Sequence, residues 1–469
     1  MSFFDSFEKF GNKTAALQSD GKSITYSEIG ALSDKLGELI PERSLVFSLC
    51  ENSIGSMCGY LSFLKNKIVP LMLDVKIDGE LFANLTEIYK PAYIWSPDGK
   101  RDDLGDYEEI FSDRGYRLYK TNFNISYPLC NELALLLTTS GSTGSPKLVK
   151  QSYTNLQSNA KAICEYLKIT DSEKPITTLP MNYTYGLSIV NSHTLAGATM
   201  LLTDATIVSK DFWSFFKEQG ATSFAGVPYT YEMLRRIRFF RMDLPTLRYF
   251  TQAGGKLQPE LHKEFAEYAL EKGKEFVVMY GQTEATARMG YLPADKSLEK
   301  FGSMGIAIPG GKLSIIDVDG KEITEPEITG ELVYEGDNVT LGYAECGDDL
   351  IKGDERHGRL ETGDMAKFDK DGYFFIVGRK KRFLKLFGNR INLDSIDRIV
   401  KSVYPDTDVA STGTDSLMII YITDERISDG VKELIAEKTH INQSAIEVRF
   451  IEEIPRNESG KVLYTKLNQ

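Results

Sequence analysis

Residues 133–147 read LALLLTTSGSTGSPK, and the fold turns on how that stretch is parsed. Leu133 to Leu137 form an apolar run short enough to be a buried strand, and Thr138 to Lys147 (TTSGSTGSPK) follow without a spacer. Gly141 and Gly144 let the backbone turn sharply and aim amides at an anion, while Ser140, Ser142 and Thr143 add hydroxyl donors and Lys147 a positive charge. The pattern suits a polyphosphate cradle, although a Gly/Ser-rich loop alone is more often a plain turn. It is not a Walker loop, because no Gly-Lys-Ser/Thr follows at the required spacing. Pro146, Leu148 and Val149 point to a second strand rather than a helix.

Outward from this loop, the first 250 residues alternate helix-period and strand-like segments, which predicts an α/β layer with parallel strands. Thr25 and Glu28 have capping-box spacing, and Ile29, Leu32, Leu36 and Leu39 recur at helical intervals. Strands are predicted at Leu45 to Cys50, Ile68 to Leu73 and Ala92 to Trp95, with a helix running to about Lys65. Further on, Pro259 suits a first helical position, Leu261, Phe265, Tyr268 and Ala269 share a face, and Gly273 suits the C-terminal cap. Phe276 to Tyr280 is then a buried strand. Between Gly302 and Gly378 the texture changes to short alternating runs such as Leu313 to Val318 and Glu331 to Tyr334, a small and mostly antiparallel region. A basic cluster, Arg379 to Arg382, precedes a short α/β alternation that reads as a separate C-terminal domain.

Composition narrows the function classes. The chain has 469 residues, roughly three structural units by length, and a net charge of −12, which disfavours nucleic acid as a partner. Five scattered cysteines with no CxxC pair give neither a disulfide framework nor a zinc ribbon, so a reducing cytoplasm is expected. The four histidines lie far apart and read as packing or surface residues. MSFFDSFEKF carries charges where a signal peptide needs apolar residues, and no apolar run is long enough to span a membrane. No repeat or low-complexity tract is visible.

Three further motifs could carry chemistry. Tyr280 to Glu284 (YGQTE) follows the strand ending at Met279, where open α/β sheets gather ligands. There Tyr280 offers a flat face, Thr283 a hydroxyl and Glu284 a carboxylate able to hold Mg²⁺ on phosphate oxygens. Glu361 to Asp364 (ETGD) precedes GRKKR at Gly378, and Asp364 with Arg379 could hold a ribose or a phosphate. Pro455 to Lys461 (PRNESGK) ends on a lysine that, taken alone, reads as surface charge. Each is bland by itself: a solvated turn, a charged patch, an exposed lysine.

In this order and spacing the four segments resemble the adenylate-forming enzymes: acyl-CoA synthetases, peptide-synthetase adenylation domains and firefly luciferase. The likeness covers nearly the whole chain and adds PMNYTYGL at Pro180–Leu187, QAGGKL at Gln252–Leu257, GEL at Gly330–Leu332 and the run from Leu384 to Ile391. It implies an α/β fold with a large domain over 1–380, including the antiparallel region, and a small mobile α+β domain over 381–469. It also implies that Thr139, Ser140, Gly141, Ser142, Thr143, Gly144 and Lys147 hold the ATP phosphates. Gly254, Gly255, Tyr280, Gly281 and Gln282 would form the adenine side, with Asp364 and Arg379 on the ribose. Thr283 would bind the α-phosphate, Glu284 the Mg²⁺, and Lys461 would bridge substrate carboxylate and phosphate.

The resemblance further implies two orientations of the small domain about Lys381, with Gly388 lining the thiol tunnel. Tyr464, Asp397 and Arg359 depart from the usual residues at their positions. Tyr183, Thr184, Gly226 and Val227 would line the acid pocket. No Asp stands near Thr184 to pair with a substrate ammonium, which favours a carboxylic acid lacking an α-amino group, a short or medium acyl or an aryl acid. The acceptor is expected to be coenzyme A, or else the phosphopantetheine of a carrier protein acting in trans, since no carrier domain follows Gln469. A kinase or ligase releasing ADP, and a non-catalytic relative, are the other readings.

Overall fold

The computed structural model describes residues 2–123, 128–138, 147–386, 389–414, 416–439, 441–456 and 462–467. They form two compact units, each described by itself: residues 1–139, 145–313 and 334–360 make the first, and 140–144, 314–333 and 361–469 the second.

The first unit is built on an eight-stranded sheet in the order Gly342–Ala344, Leu148–Ser152, Leu133–Thr138, Val69–Asp74, Leu45–Cys50, Tyr93–Pro97, Tyr116–Lys120, Glu108–Asp113. Its centre is parallel, as expected, and every residue of Leu45–Cys50 is buried. Val46 and Cys50 face helices Tyr26–Leu39 and Ile54–Lys65, while Phe47 and Leu49 face Phe82, Leu85 and Tyr89 of helix Gly79–Tyr89. Two covered faces explain why these strands read as continuous apolar runs. The margins are antiparallel, against the simple parallel expectation. The hairpin Glu108–Asp113 with Tyr116–Lys120 escaped the pattern because its outer strand is half-exposed and polar.

Helix Tyr26–Leu39 opens on the expected capping box, with the Thr25 N–H donating to the Glu28 carboxylate at 2.8 Å; such a cap contributes about 1 kcal/mol. Leu39 is exposed, and Ile40 after it is buried instead, because the helix ends there. Beside the large sheet runs a five-stranded one, Ser223–Gly226, Tyr249–Gln252, Glu275–Tyr280, Gly290–Tyr291 and Ile306–Ala307. Its first three strands are parallel and in register, with Gly226 opposite Gln252 and Gln252 opposite Val278. Helix Pro259–Glu271 buries Leu261, Phe265, Tyr268 and Ala269 as predicted, and Gly273 follows at φ +64°. A three-stranded sheet, Met200–Leu202, Thr14–Gln18 and Ser23–Thr25, completes the unit.

The second unit holds most of a four-stranded sheet, Lys312–Ile316, Gly330–Glu335, Arg359–Phe368 and Phe374–Arg379. Val318, read as strand, is almost fully exposed in the turn that follows the first of these. Its C-terminal part packs helices Leu393–Val403 and Ser428–Thr439 against strands Val409–Gly413, Met418–Ile422 and Ile446–Phe450 through Ile396, Val400, Ile420, Val431, Ile435 and Ile446. There Arg382 pairs with Asp394 and with Asp397 at 2.8 Å, and the Tyr464 ring covers its guanidinium at 4.1 Å. The two departures at 397 and 464 thus belong to one packed cluster. Among the described residues no helix is long and apolar enough to cross a membrane.

Candidate active site

Three parallel strands of the five-stranded sheet end side by side, and their C-terminal ends carry the predicted residues: Gly226 and Val227, then Gly254 and Gly255, then Tyr280 to Glu284. A shared strand edge is where an open α/β sheet gathers ligands. Gln252 locks the middle turn, its amide donating to the carbonyls of Ala253 (3.2 Å) and Gly255 (2.8 Å). Gly254 has φ +82°, and a Cβ there would lie 2.6 Å from the Tyr183 hydroxyl and 3.1 Å from Val227 Cγ1. The middle turn therefore abuts two of the predicted acid-pocket residues. Tyr183 caps helix Thr184–Ala196, Thr184 is its first residue, and burial pushes the Tyr183 phenol up to about 12.

The YGQTE turn is more tightly built. A Cβ on Gly281 would sit 1.5 Å from the Ala287 carbonyl oxygen, so no other residue fits without moving the chain. The turn closes with Thr286 and Ala287 in the left-handed region, and Tyr280 then pairs antiparallel with Gly290. The Gln282 amide donates to the Tyr280 hydroxyl at 3.2 Å. Gln151 Nε2 donates to the Thr283 carbonyl at 3.3 Å.

Glu284 is fixed through its backbone. Its carbonyl accepts from the Thr340 N–H (3.0 Å), the Thr340 hydroxyl (2.9 Å) and the Arg356 guanidinium (3.1 Å). Its carboxylate accepts from the Tyr343 hydroxyl at 2.8 Å, and among the described residues no cation is paired with it. Burial, chiefly, and then the Glu284 charge push the Tyr343 phenol up to about 12, so it stays a donor at neutral pH. The Tyr343 ring lies 3.7 Å from Lys147 Nζ and 4.6 Å from the Arg356 guanidinium carbon.

Lys147 and Glu284 therefore both meet the Tyr343 side chain. The strands on either side of 139–146 pair antiparallel, with Thr138 opposite Leu148, so a second strand at 148–152 is the right reading. The predicted cradle residues Thr139, Ser140, Gly141, Ser142, Thr143 and Gly144 lie outside the described residues, as do Gly388 and Lys461. The Lys381 backbone sits in a short turn before strand Phe383–Leu386. Tyr343, Arg356 and Thr340 were missed because a Tyr, an Arg and a Thr without a motif carry no signal until strand pairing sets Tyr343 opposite Val149.

In the second unit Asp364 and Arg379 are cross-strand partners, 3.1 Å apart, with Asp364 nearly buried and the Arg379 side chain 61% exposed. Thr362 shapes the turn by donating to the Leu332 carbonyl (2.8 Å) and accepting from the Asp364 N–H (3.1 Å). Arg359 pairs with Glu335. Among the described residues no group of three His, Cys, Asp or Glu could hold a metal. A single hard carboxylate without a counter-cation nevertheless suits Mg²⁺, which takes one or two carboxylates and completes its shell with phosphate oxygens and water.

Residues 3–344 match the AMP-binding enzyme family. The chain is 31% identical over 278 residues to oxalate–CoA ligase from Arabidopsis thaliana, covering 58% of this chain and 53% of that protein. It thus spans about half the length of that relative, and likewise 52% of a probable CoA ligase from Humulus lupulus. Indoleacetate–CoA ligase from Aromatoleum aromaticum is 29% identical over 484 aligned positions, 95% of this chain and 93% of the other. Among solved structures, O-succinylbenzoate coenzyme A synthetase from Bacillus subtilis, in complex with AMP, has a TM-score of 0.81 at 20% identity and covers 100% of this chain and 98% of that one. ATP-bound MatB from Rhodopseudomonas palustris has 0.79 at 21%, covering 100% and 98%.

Proposed function

The chain belongs to the AMP-binding enzyme family, and on that premise we propose that it activates a carboxylic acid with ATP as an acyl-adenylate, releasing pyrophosphate, and passes the acyl group to the thiol of coenzyme A. The observation that carries this reading is Glu284: a carboxylate fixed through its backbone beyond the strand end, sharing Tyr343 with Lys147, and with no paired cation among the described residues.

The chemistry asks for that arrangement. A carboxylate must approach an α-phosphate that is already anionic, so fixed positive charge and oriented donors are needed where charge develops. Glu284 would hold Mg²⁺, which neutralises the departing pyrophosphate. Lys147 and the donors of 139–144 would hold the phosphates, and Thr283 the α-phosphate. Tyr280 would stack on the base, with Asp364 and Arg379 on the ribose. Lys461 would bridge the reacting carboxylate and phosphate. The adenylate is itself a good leaving group, so the thiol needs no Ser-His-Asp set to attack it. The segment 381–469 would turn about Lys381 between the half-reactions, bringing Gly388 to the thiol path.

The relatives act on acids as different as oxalate and indoleacetate, so the family does not dictate the acid. The absence of an acid near Thr184 supports a substrate without an α-amino group. All five cysteines are unpaired, which supports a reducing cytoplasm.

The test is AMP and pyrophosphate release with ATP and Mg²⁺ across fatty, aryl, hydroxy and amino acids, with hydroxylamine trapping the adenylate and coenzyme A or a phosphopantetheinylated carrier as acceptor. Acid-dependent AMP is expected; ADP, or no product with ATP bound, would overturn the proposal. Thioester formed only on the carrier would move the second step to that partner.

A further inference from the structure

Among the described residues Arg288 is a buried cation without a counter-ion. It follows the YGQTE turn, is 2% exposed, and its guanidinium makes only neutral contacts. Nε and one terminal nitrogen donate to the Ser188 hydroxyl (3.2 and 3.0 Å), and the other terminal nitrogen donates to the Tyr166 hydroxyl (3.2 Å) and to Met279 Sδ. The Tyr185 ring lies 4.4 Å from its central carbon. Among the described residues no carboxylate reaches it. The fully buried Lys150 is paired with Glu355 at 3.0 Å, and the partly buried Arg101 and Arg382 with Asp103 and with Asp394 and Asp397. Burial holds both the Tyr166 and Tyr185 phenols protonated, so neither supplies a phenolate.

Desolvating a charge without pairing it is costly, and the usual remedy is an anion with a matching fork. Arg288 also touches the cluster that holds the predicted acid-pocket residues Tyr183 and Val227. It lines a narrow cavity with Ile189, His193, Ala225, Tyr249 and Thr251, alongside the strand Ser223–Gly226. Tyr183, Tyr185, Val227 and Met279 belong to one packed cluster around it. His193 adds no charge there: its Nε2 meets the Tyr249 hydroxyl at 3.0 Å, its Nδ1 the Ile189 carbonyl at 2.8 Å, and burial holds the imidazole at about 4.

We infer that the substrate of this chain carries a second carboxylate, distant from the one that is activated, and that the Arg288 guanidinium binds it. The inference rests on the acid-activating reading above and adds the class of acid. A planar guanidinium meets a carboxylate through two parallel hydrogen bonds and rejects an uncharged end that would leave it unpaired.

The experiment compares dicarboxylic acids with their monomethyl esters, which keep shape and remove the charge: succinate, glutarate, adipate and terephthalate, each in acid-dependent AMP release. At least one diacid is expected to exceed its ester by about 10²-fold in kcat/KM, as for a buried charged pair losing one partner. Arg288→Met should bring that ratio close to one, and Arg288→Lys should restore part of it. A purely structural arginine would lower both substrates together and leave the ratio intact, which would overturn the inference. So would equal use of diacid and ester by the unaltered protein. Efficient turnover of monocarboxylates alone would overturn it while leaving the acid-activating reading standing; no AMP from any acid, with ATP bound, would remove both. Should Arg288→Met fail to fold, the diacid-to-ester ratio of the unaltered protein and its thermal stabilisation by each compound decide the matter.

Discussion

Two acidic residues assigned to nucleotide work, Glu284 and Asp364, are held in opposite ways. Glu284 is anchored by its main chain: three donors grip its carbonyl while its carboxylate keeps a single neutral partner, Tyr343. Asp364 is anchored by its side chain, through an ion pair with Arg379 on the neighbouring strand. The difference follows from the proposed tasks. A carboxylate meant for a divalent cation must keep its charge uncompensated, so positioning falls to the backbone. A carboxylate meant to accept from sugar hydroxyls can share its charge with a guanidinium and still accept.

This contrast can be broken by substitution. The largest effects are expected outside both residues: Lys461→Ala should abolish trapped adenylate, a loss of about 10³-fold as for a lost transition-state charge, while sparing thioester formation from a supplied acyl-adenylate. Gly388→Phe should do the reverse. Equal loss of both half-reactions in both folded variants would end the two-orientation reading. Next, Glu284→Gln should cost about 10²-fold in pyrophosphate release and raise the Mg²⁺ needed for half-maximal rate, whereas Asp364→Asn should act mainly on the KM for ATP, by about tenfold. If both variants shifted the Mg²⁺ dependence alike, the division of labour would be wrong. An effect of similar size belongs to Tyr343→Phe, which removes one hydrogen bond to a charged group and should cost about tenfold, or ~1.5 kcal/mol, read in the same Mg²⁺ titration.

Much of this was legible beforehand. The strand Leu45–Cys50, the capping box at Thr25 and the helix opening at Pro259 are local patterns, and local patterns survive folding intact. The three strand-end segments were legible for the same reason, since each is a motif continuous in sequence. What stayed hidden is what pairing creates. Tyr343 becomes a ligand of Glu284 only because Gly342–Ala344 pairs beside Leu148–Ser152. Arg288 becomes an unpaired cation only once Tyr166, Tyr185 and Ser188 close round it. The polar hairpin at 108–120 was invisible to an apolar-period search because its outer strand has little apolar face to show.

The close approach of the Ala287 carbonyl to Gly281 bears on how this gene tolerates error. Every missense change at a glycine codon adds at least a Cβ, so each one at position 281 meets that oxygen. In a saturation library scored only for protein abundance, with no reaction assayed, codon 281 should therefore fall silent for all nineteen replacements. By contrast Gly353, where a Cβ would meet open space, should accept many.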